Sequence, residues 1–599
     1  MLLKGIKELF TLLTPVQRRR FYFFQLLVLL MSLMEIVGVA SIIPFMVLVG
    51  DMGQLKEDNL IAKAFIASKL SSETEFVFLL GACVLFTLFI SAILSTFTIW
   101  RLSLFATKIG TEITDRLYNY YLSQSWLFHS TGSSAQLTKK IANEAQRVTS
   151  GILTPVMQLN ARIALCFFLG LSIFLYNPIV ATVGITIFAI AYFIIFKSVK
   201  NSLQRNGVAI SKVYEERFRL MNESFGGIKD VLLLGRSSDF IERFNQSSNL
   251  FAYSQGTNMA LTLVPRYFME LIAFGSMIGL LLYLIASHNG NLGVILPIIS
   301  VYALATFKLL PAFQQVYATS AQIKANLPAF ESIKKDLSNS LKDTNILLET
   351  QNKKIIPKKE ILLKNIFFTY PDKKEYAISN LNISIKVNTT IGLVGPSGSG
   401  KSTLIDIFLG LIEPQQGILK IDDTIIHKHN LRLWQNTIGF VPQSIFLSEG
   451  TIAENIAFGI PKEKINFDQV EKVLKLSYLY DLVQSLDLGV HTKVGERGVQ
   501  LSGGQRQRVG IARALYMNAE VIVFDEATSS LDGITEKMIM ESIQNLSHKK
   551  TIIMIAHRLK TVQKCDKIFF IEKGQISDQG TYEGLLERNK IFRNMVEHT

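Results

Sequence analysis

The stretch Gly395-Pro396-Ser397-Gly398-Ser399-Gly400-Lys401-Ser402-Thr403 follows an apolar run, Ile391 to Val394, and opens a helical pattern reaching Leu409. Strand, glycine-rich loop and helix in that order form a phosphate cradle. The glycines let backbone N–H groups close around phosphate oxygens, and the helix N-terminus adds partial positive charge. The Lys401 ammonium then reaches the outer phosphates, and the Ser402 hydroxyl is placed to ligate Mg2+. Such a loop says only that a phosphate is bound, so residues further along decide the class.

Downstream, Val521-Ile-Val-Phe-Asp525-Glu526 reads as a buried strand ending in two carboxylates. Asp525 is suited to hold Mg2+, and Glu526 to polarise an attacking water. Gln443, in a Val-Pro-Gln turn, is within reach of either. Leu501-Ser502-Gly503-Gly504-Gln505 opens a helix and offers a second phosphate-facing surface. His557 follows another apolar strand, where it is positioned for a γ-phosphate, and Tyr370 precedes the loop with a ring able to stack on adenine. Each motif alone has an ordinary structural reading, such as a cap, a turn or a core tyrosine. The ordered set does not.

The rest of the composition points to lipid. Of the 599 residues, 49% are hydrophobic and 40 are phenylalanine, and the charged share of 18% falls below that of soluble domains. Mean hydropathy is +0.30. The excess of 62 basic over 48 acidic residues matches the Lys/Arg-rich cytoplasmic loops of membrane proteins and does not call for nucleic acid. Three cysteines, Cys83, Cys166 and Cys565, show no paired spacing, so neither a disulfide framework nor a metal site is expected. The start, Met-Leu-Leu-Lys-Gly-Ile-Lys, lacks a cleavable signal, and the first apolar span is expected to target the chain.

Six spans are expected, at 21–50, 76–100, 152–176, 178–198, 264–286 and 293–317. Arg18, Arg19 and Arg20 precede the first, whereas loop 51–75 holds five acidic residues against three lysines. The N-terminus and the phosphate-binding part are thereby predicted to be cytoplasmic. Connections 101–151 and 199–263 are too long to lack structure and are expected to be helices extending into the cytoplasm, with Trp126–Ser130 and Ile228–Leu232 as short docking turns. The predicted division is a six-span helical domain at 1–325, a Lys-rich linker at 326–358 and an α/β P-loop domain at 359–599. Neither half repeats, so a second copy is needed to complete an ATP site.

At these residues the chain resembles the ABC transporter superfamily over essentially its whole length. The resemblance implies an A-loop at Tyr370, Walker A at Gly395–Ser402, a Q-loop at Gln443, a signature at Leu501–Gln505 and Walker B at Asp525 and Glu526. It likewise implies a D-loop at Ser530-Leu531-Asp532, an H-switch at His557 and the X-loop of exporters at Lys493-Val-Gly-Glu496-Arg-Gly. With these come a six-span helical domain of type I exporter form, a domain-swapped homodimer, ATP and Mg2+ as cofactors, and ATP hydrolysis through Glu526.

For cargo, the informative residues are charges inside apolar spans, each costing about 2.5–3.5 kcal/mol at a helix centre. Glu35, Arg266, Glu270 and Lys308 meet that description. Arg266 is also placed to snorkel or to pair with Glu270 four residues on, and Glu35 to serve either cargo or a neighbouring cation. Met34–Phe45, Val264-Pro-Arg266 with Glu270, and Lys308-Leu-Leu-Pro311 resemble segments of PglK-type lipid-linked oligosaccharide flippases, although the second span has no arginine before Arg101. That resemblance implies a homodimer that flips a polyprenyl-pyrophosphate glycan across a bacterial inner membrane, with Arg266, Lys308 and Glu35 at the cargo. It also implies an external helix, matched by Asn59–Leu70. The rival readings are a multidrug or lipid A-like exporter and an ATP-gated channel or regulator. A peptide exporter is disfavoured because no cysteine-protease domain precedes the first span. A non-transport ATPase acting on DNA or ribosomes is disfavoured by the six spans.

Overall fold

In the computed structural model the chain forms two compact units, one of Met1–Gln124 and Thr131–Ile346, the other of Ser125–Ser130 and Leu347–Thr599. All residues are described except 1, 51, 57–59, 69, 71, 177, 288–291, 343–352, 372, 496–497, 527–532, 557 and 598–599.

The first unit is helical. It opens with α1 (Leu2–Thr11) and α2 (Pro15–Ala40), the latter starting on a proline whose fixed φ suits a first helical position. The expected span 21–50 does not run through. It breaks at Ser41 into α2 and α3 (Ile42–Gly50). Pro44 has no N–H for the Ala40 carbonyl, and Ser41 Oγ turns back to Gly38 O at 2.8 Å. The segment expected to form an external helix contains α4 (Leu60–Ser68), whose Ile61 and Phe65 pack with Leu48, Leu55 and Phe76.

Next come α5 (Glu73–Leu122), α7 (Ser134–Lys139), α8 (Ala145–Val148) and α9 (Thr154–Tyr176), whereas α6 (Trp126–Thr131) belongs to the second unit except for its last residue. After them run α10 (Pro178–Gly226), α11 (Ile228–Leu233), α12 (Ser237–Leu263), α13 (Pro265–Ser287) and α14 (Leu292–Lys342). The long connections are helical as expected. α5, α10 and α14 have 50, 49 and 51 residues, and at 1.5 Å per residue each is more than twice as long as a bilayer core is thick. Among the described residues, five helical stretches are long and apolar enough to cross a membrane. The sixth expected span falls on α14, which continues to Lys342, past residue 326 where the Lys-rich stretch was expected to begin a linker.

Two π-helical turns, Lys140–Glu144 and Thr149–Leu153, flank α8. Between them Arg147 joins three helices. Its guanidinium donates to Ser211 Oγ on α10 at 2.7 Å, Asn326 Oδ1 on α14 at 3.1 Å and the fully buried Glu144 at 3.1 Å. Gly207 permits this crossing, since a Cβ there would stand 2.1 Å from Ala325 O.

The second unit is α/β. A four-stranded antiparallel sheet, order β2-β1-β4-β5, contains β1 (Glu360–Phe368), β2 (Ile378–Lys386), β4 (Gln416–Ile421) and β5 (Thr424–Ile425). The larger sheet, order β10-β9-β3-β8-β7-β6, contains β3 (Thr390–Val394), β6 (Ile438–Val441), β7 (Val521–Asp525), β8 (Thr551–Ile555), β9 (Lys567–Glu572) and β10 (Gln575–Gly580). It is parallel except for the β9–β10 pair. β3 and β8 are buried at every position, as central parallel strands covered on both faces require. Trp434, fully buried, meets Phe408 edge-on and donates Nε1 to Phe408 O at 2.9 Å. Within this unit Leu127, from the Ser125–Ser130 segment, packs against the core formed by the two sheets.

Candidate nucleotide site and intramembrane charges

The order β3-β8-β7-β6 brings the ends of four neighbouring parallel strands together, the place where ligands bind in open α/β sheets. The glycine-rich loop leaves β3 and enters α15 (Lys401–Phe408). Gly400, at φ 103°, caps that helix, and a Cβ there would lie 2.7 Å from Ala377 O. A Cβ on Gly395 would lie 2.1 Å from Ile571 O. The loop can close this tightly only with hydrogen at both positions.

Lys401 folds back onto its own loop. Its ammonium donates to Gly395 O at 2.7 Å and Pro396 O at 2.9 Å. Burial lowers its pKa, and the nearby Glu526 and Asp525 oppose that shift. An incoming phosphate offers this cation a stronger, charged acceptor than two carbonyls. Tyr370 half-buries its ring against Phe368, and its hydroxyl lies 3.1 Å from Thr403 Oγ1.

Asp525 ends β7, and Glu526 follows at φ 50°, its N–H bonded to Ile555 O at 3.2 Å. Gln443, just beyond β6, donates Nε2 to Glu526 Oε2 at 2.6 Å. Ser502 is the N-cap of the helix Gly503–Tyr516 in a reciprocal box with Gln505: Gln505 N donates to Ser502 Oγ at 3.2 Å, and Ser502 N to Gln505 Oε1 at 2.8 Å. Gly503 and Gly504 thus form the open first turn of a well-capped helix. Asp532, Ser530, Leu531, His557 and Glu496 lie outside the described residues.

One nearby carboxyl escaped the motif search. Asp406, on α15, is pushed up to about 6, mainly by burial and further by Asp525, while a hydrogen bond with Trp126 opposes the rise. No local pattern marks it, because its environment is assembled from distant parts of the chain.

Among the intramembrane charges, Arg266 pairs with Glu270 on its own helix at 2.6 Å and is 62% exposed. Lys308 lies on α14, and its side chain is outside the description. Glu35 meets neither Arg266 nor Glu270. Its cation is Arg162 on α9 at 3.7 Å, and Ser95 on α5 donates to its other oxygen at 3.3 Å. Arg162 was missed although it meets the criterion that singled out Glu35, a charge within an apolar span.

A P-loop ATPase domain joined to a bundle of membrane-length helices defines a membrane protein powered by nucleotide. The family profile for the ABC transporter transmembrane region matches residues 22–319, and that for the ABC transporter nucleotide domain matches residues 378–529. The chain belongs to the ABC transporter family and is an exporter-type half-transporter, multi-pass in the membrane, whose ATPase is coupled to transport. It is similar to the ATP-dependent lipid A-core flippase of Escherichia coli K12, at 27% identity over 496 residues, 82% of this chain and 83% of that protein. It is likewise similar to the lipid A-core flippase of Cupriavidus metallidurans, at 27% over 504 residues and 83% of each chain. These relatives are lipid A-core flippases, whereas the span segments resemble PglK-type proteins. A bacterial Atm1-family ABC exporter solved with ATP bound shares the fold, with a TM-score of 0.77, 21% identity, and 98% and 99% of the two chains covered.

Proposed function

We propose that this half-transporter acts as a homodimeric, ATP-driven flippase of a phosphorylated glycolipid of the lipid A type, moving it from the cytoplasmic to the outer leaflet of a bacterial inner membrane. The observation that carries the reading is the pairing of a complete ATPase motif set with relatives that are lipid A-core flippases over four-fifths of the chain. A polyprenyl-pyrophosphate glycan is the second reading, favoured by the segments around Glu35, Arg266 and Lys308. It shares the phosphate chemistry of the first.

Within this account ATP lies between Gly395–Thr403 of one copy and Ser502–Gln505 of the other, with adenine near Tyr370. Lys401 leaves its loop carbonyls for the outer phosphates, and Glu526, oriented by Gln443, takes the proton of the attacking water. His557 and Asp532 complete the site by family resemblance. The Ser402 hydroxyl, the Asp525 carboxylate and the Gln443 amide oxygen are hard donors that suit Mg2+, which when bound shields phosphate charge. The N-terminus and nucleotide domain are cytoplasmic. Support for a second copy comes from the end of α11 and its C-cap, where Leu232, Leu233 and Leu234 are 66%, 84% and 68% exposed, an apolar tip that needs a cover.

ATP turnover in proteoliposomes, with and without added lipid A, polyprenyl-pyrophosphate glycan or apolar drugs, tests the reading. Stimulation by lipid A ahead of the others is expected. Stimulation by the apolar drugs alone contradicts it.

A further inference from the structure

Inside the apolar spans one ion pair is left incompletely matched. Arg162 Nη1 stands 3.7 Å from Glu35 Oε2, beyond the separation of a charge-assisted hydrogen bond, about 2.7–2.9 Å. Ser95 holds the opposite carboxylate oxygen. Among the described residues the guanidinium has no hydrogen-bond acceptor. Both groups keep accessible surface, 32% for Arg162 and 21% for Glu35. The backbone beneath them is fixed: Ser32 Oγ on α2 donates to Ala161 O at 3.1 Å, and Asn160 Nδ2 donates to Gln25 Oε1 at 2.8 Å. A rigidly mounted, loosely paired arginine in an apolar span marks a ligand contact rather than a structural clamp. Its planar fork matches two oxygens of a phosphate.

We propose that Arg162 binds the phosphate of the lipid-borne cargo, with Glu35, steadied by Ser95, as the resting counter-ion that the phosphate displaces. The proposal rests on the reading of a phosphorylated lipid as cargo. Glu35 and the phosphate compete for one cation, so the two side chains act in opposite directions. Removing the arginine weakens binding, and neutralising the glutamate tightens it. A purely structural ion pair has no such opposition, since loss of either partner harms it alike.

Binding to the full-length protein in nanodiscs is measured for bisphosphorylated lipid A, for the same lipid stripped of phosphate, and for inorganic pyrophosphate. Wild type is expected to prefer the phosphorylated lipid over both. Arg162→Gln should weaken phosphorylated-lipid binding by about tenfold or more and erase the preference, with Arg162→Lys intermediate. Glu35→Gln should tighten it a few-fold. The double variant Glu35→Met/Arg162→Met removes both charges together, leaves no unpaired ion to unfold the bundle, and should also erase the preference. Persistence of the preference in the arginine variants overturns the site while the cargo reading stands. Equal wild-type binding of phosphorylated and stripped lipid overturns both, and pyrophosphate binding as tight as the lipid overturns a lipid-borne ligand.

Discussion

Gln443 and Glu526 are joined by a 2.6 Å hydrogen bond, the amide Nε2 donating to the carboxylate. They stand just beyond β6 and β7, neighbours in the sheet, and Glu526 is held at φ 50°, a conformation that non-glycine residues rarely adopt. The bond aims the carboxylate, as a general base requires. Glu526→Gln keeps the side-chain size and removes the charge. ATP turnover should fall about 10²–10⁴-fold while nucleotide affinity is retained, as read by single-turnover hydrolysis beside fluorescent-nucleotide binding. Unchanged turnover removes Glu526 from the chemistry.

The loop glycines differ in what they meet. At Gly400 a Cβ adds a 2.7 Å contact to a left-handed φ, whereas at Gly398, φ 77°, it points into open space. Gly400→Ala should destabilise the nucleotide domain by about 2–4 kcal/mol and Gly398→Ala by only about 1–2 kcal/mol. Calorimetric transitions of the two variants give the comparison, and equal losses contradict the crowding at Gly400.

Asp406 supplies a pH dependence. Its folded pKa of about 6 lies above the ordinary value of about 3.9, so the folded state holds a proton more tightly than the unfolded chain. Its contribution to stability is therefore greatest below pH 4, declines as pH rises from 4 to 6, and stays reduced above that. Asp406→Asn should remove the penalty and raise stability by about 2–3 kcal/mol at pH 7.5, with a smaller gain of about 1–2 kcal/mol at pH 5. A gain that is the same at both pH values contradicts the raised carboxyl.

Arg147 is the partner of the fully buried Glu144, whose second oxygen has no hydrogen bond. Arg147→Ala leaves that charge buried and unpaired, at a cost of about 3–5 kcal/mol. Arg147→Met/Glu144→Gln should recover most of it. Thermal unfolding in detergent decides: equal loss in the single and double variants rules out the unpaired charge as the cause.

The nucleotide site was legible because its chemistry sits in contiguous motifs. Strand, loop and helix around Gly395–Ser402 follow from hydrophobic runs and glycine spacing, and the cap at Ser502 follows from Gln505 three residues on. The long helices were legible because 101–151 and 199–263 keep helical periodicity. The break at Ser41 was hidden by uninterrupted hydrophobicity, although Pro44 carried the signal. Arg162 was visible as a charge within an apolar span and was overlooked, whereas Asp406 was not found because burial by distant segments is a tertiary property. For the same reason the pairing of Glu35 with Arg162 had no trace in local sequence.

The most direct test is ATP-dependent flipping of a fluorescent, bisphosphorylated lipid A in proteoliposomes, with wild type beside Glu526→Gln. The account predicts movement between leaflets by wild type with ATP, none by Glu526→Gln, and none of the phosphate-stripped lipid. Equal flipping by wild type and Glu526→Gln, or flipping indifferent to phosphate, contradicts it.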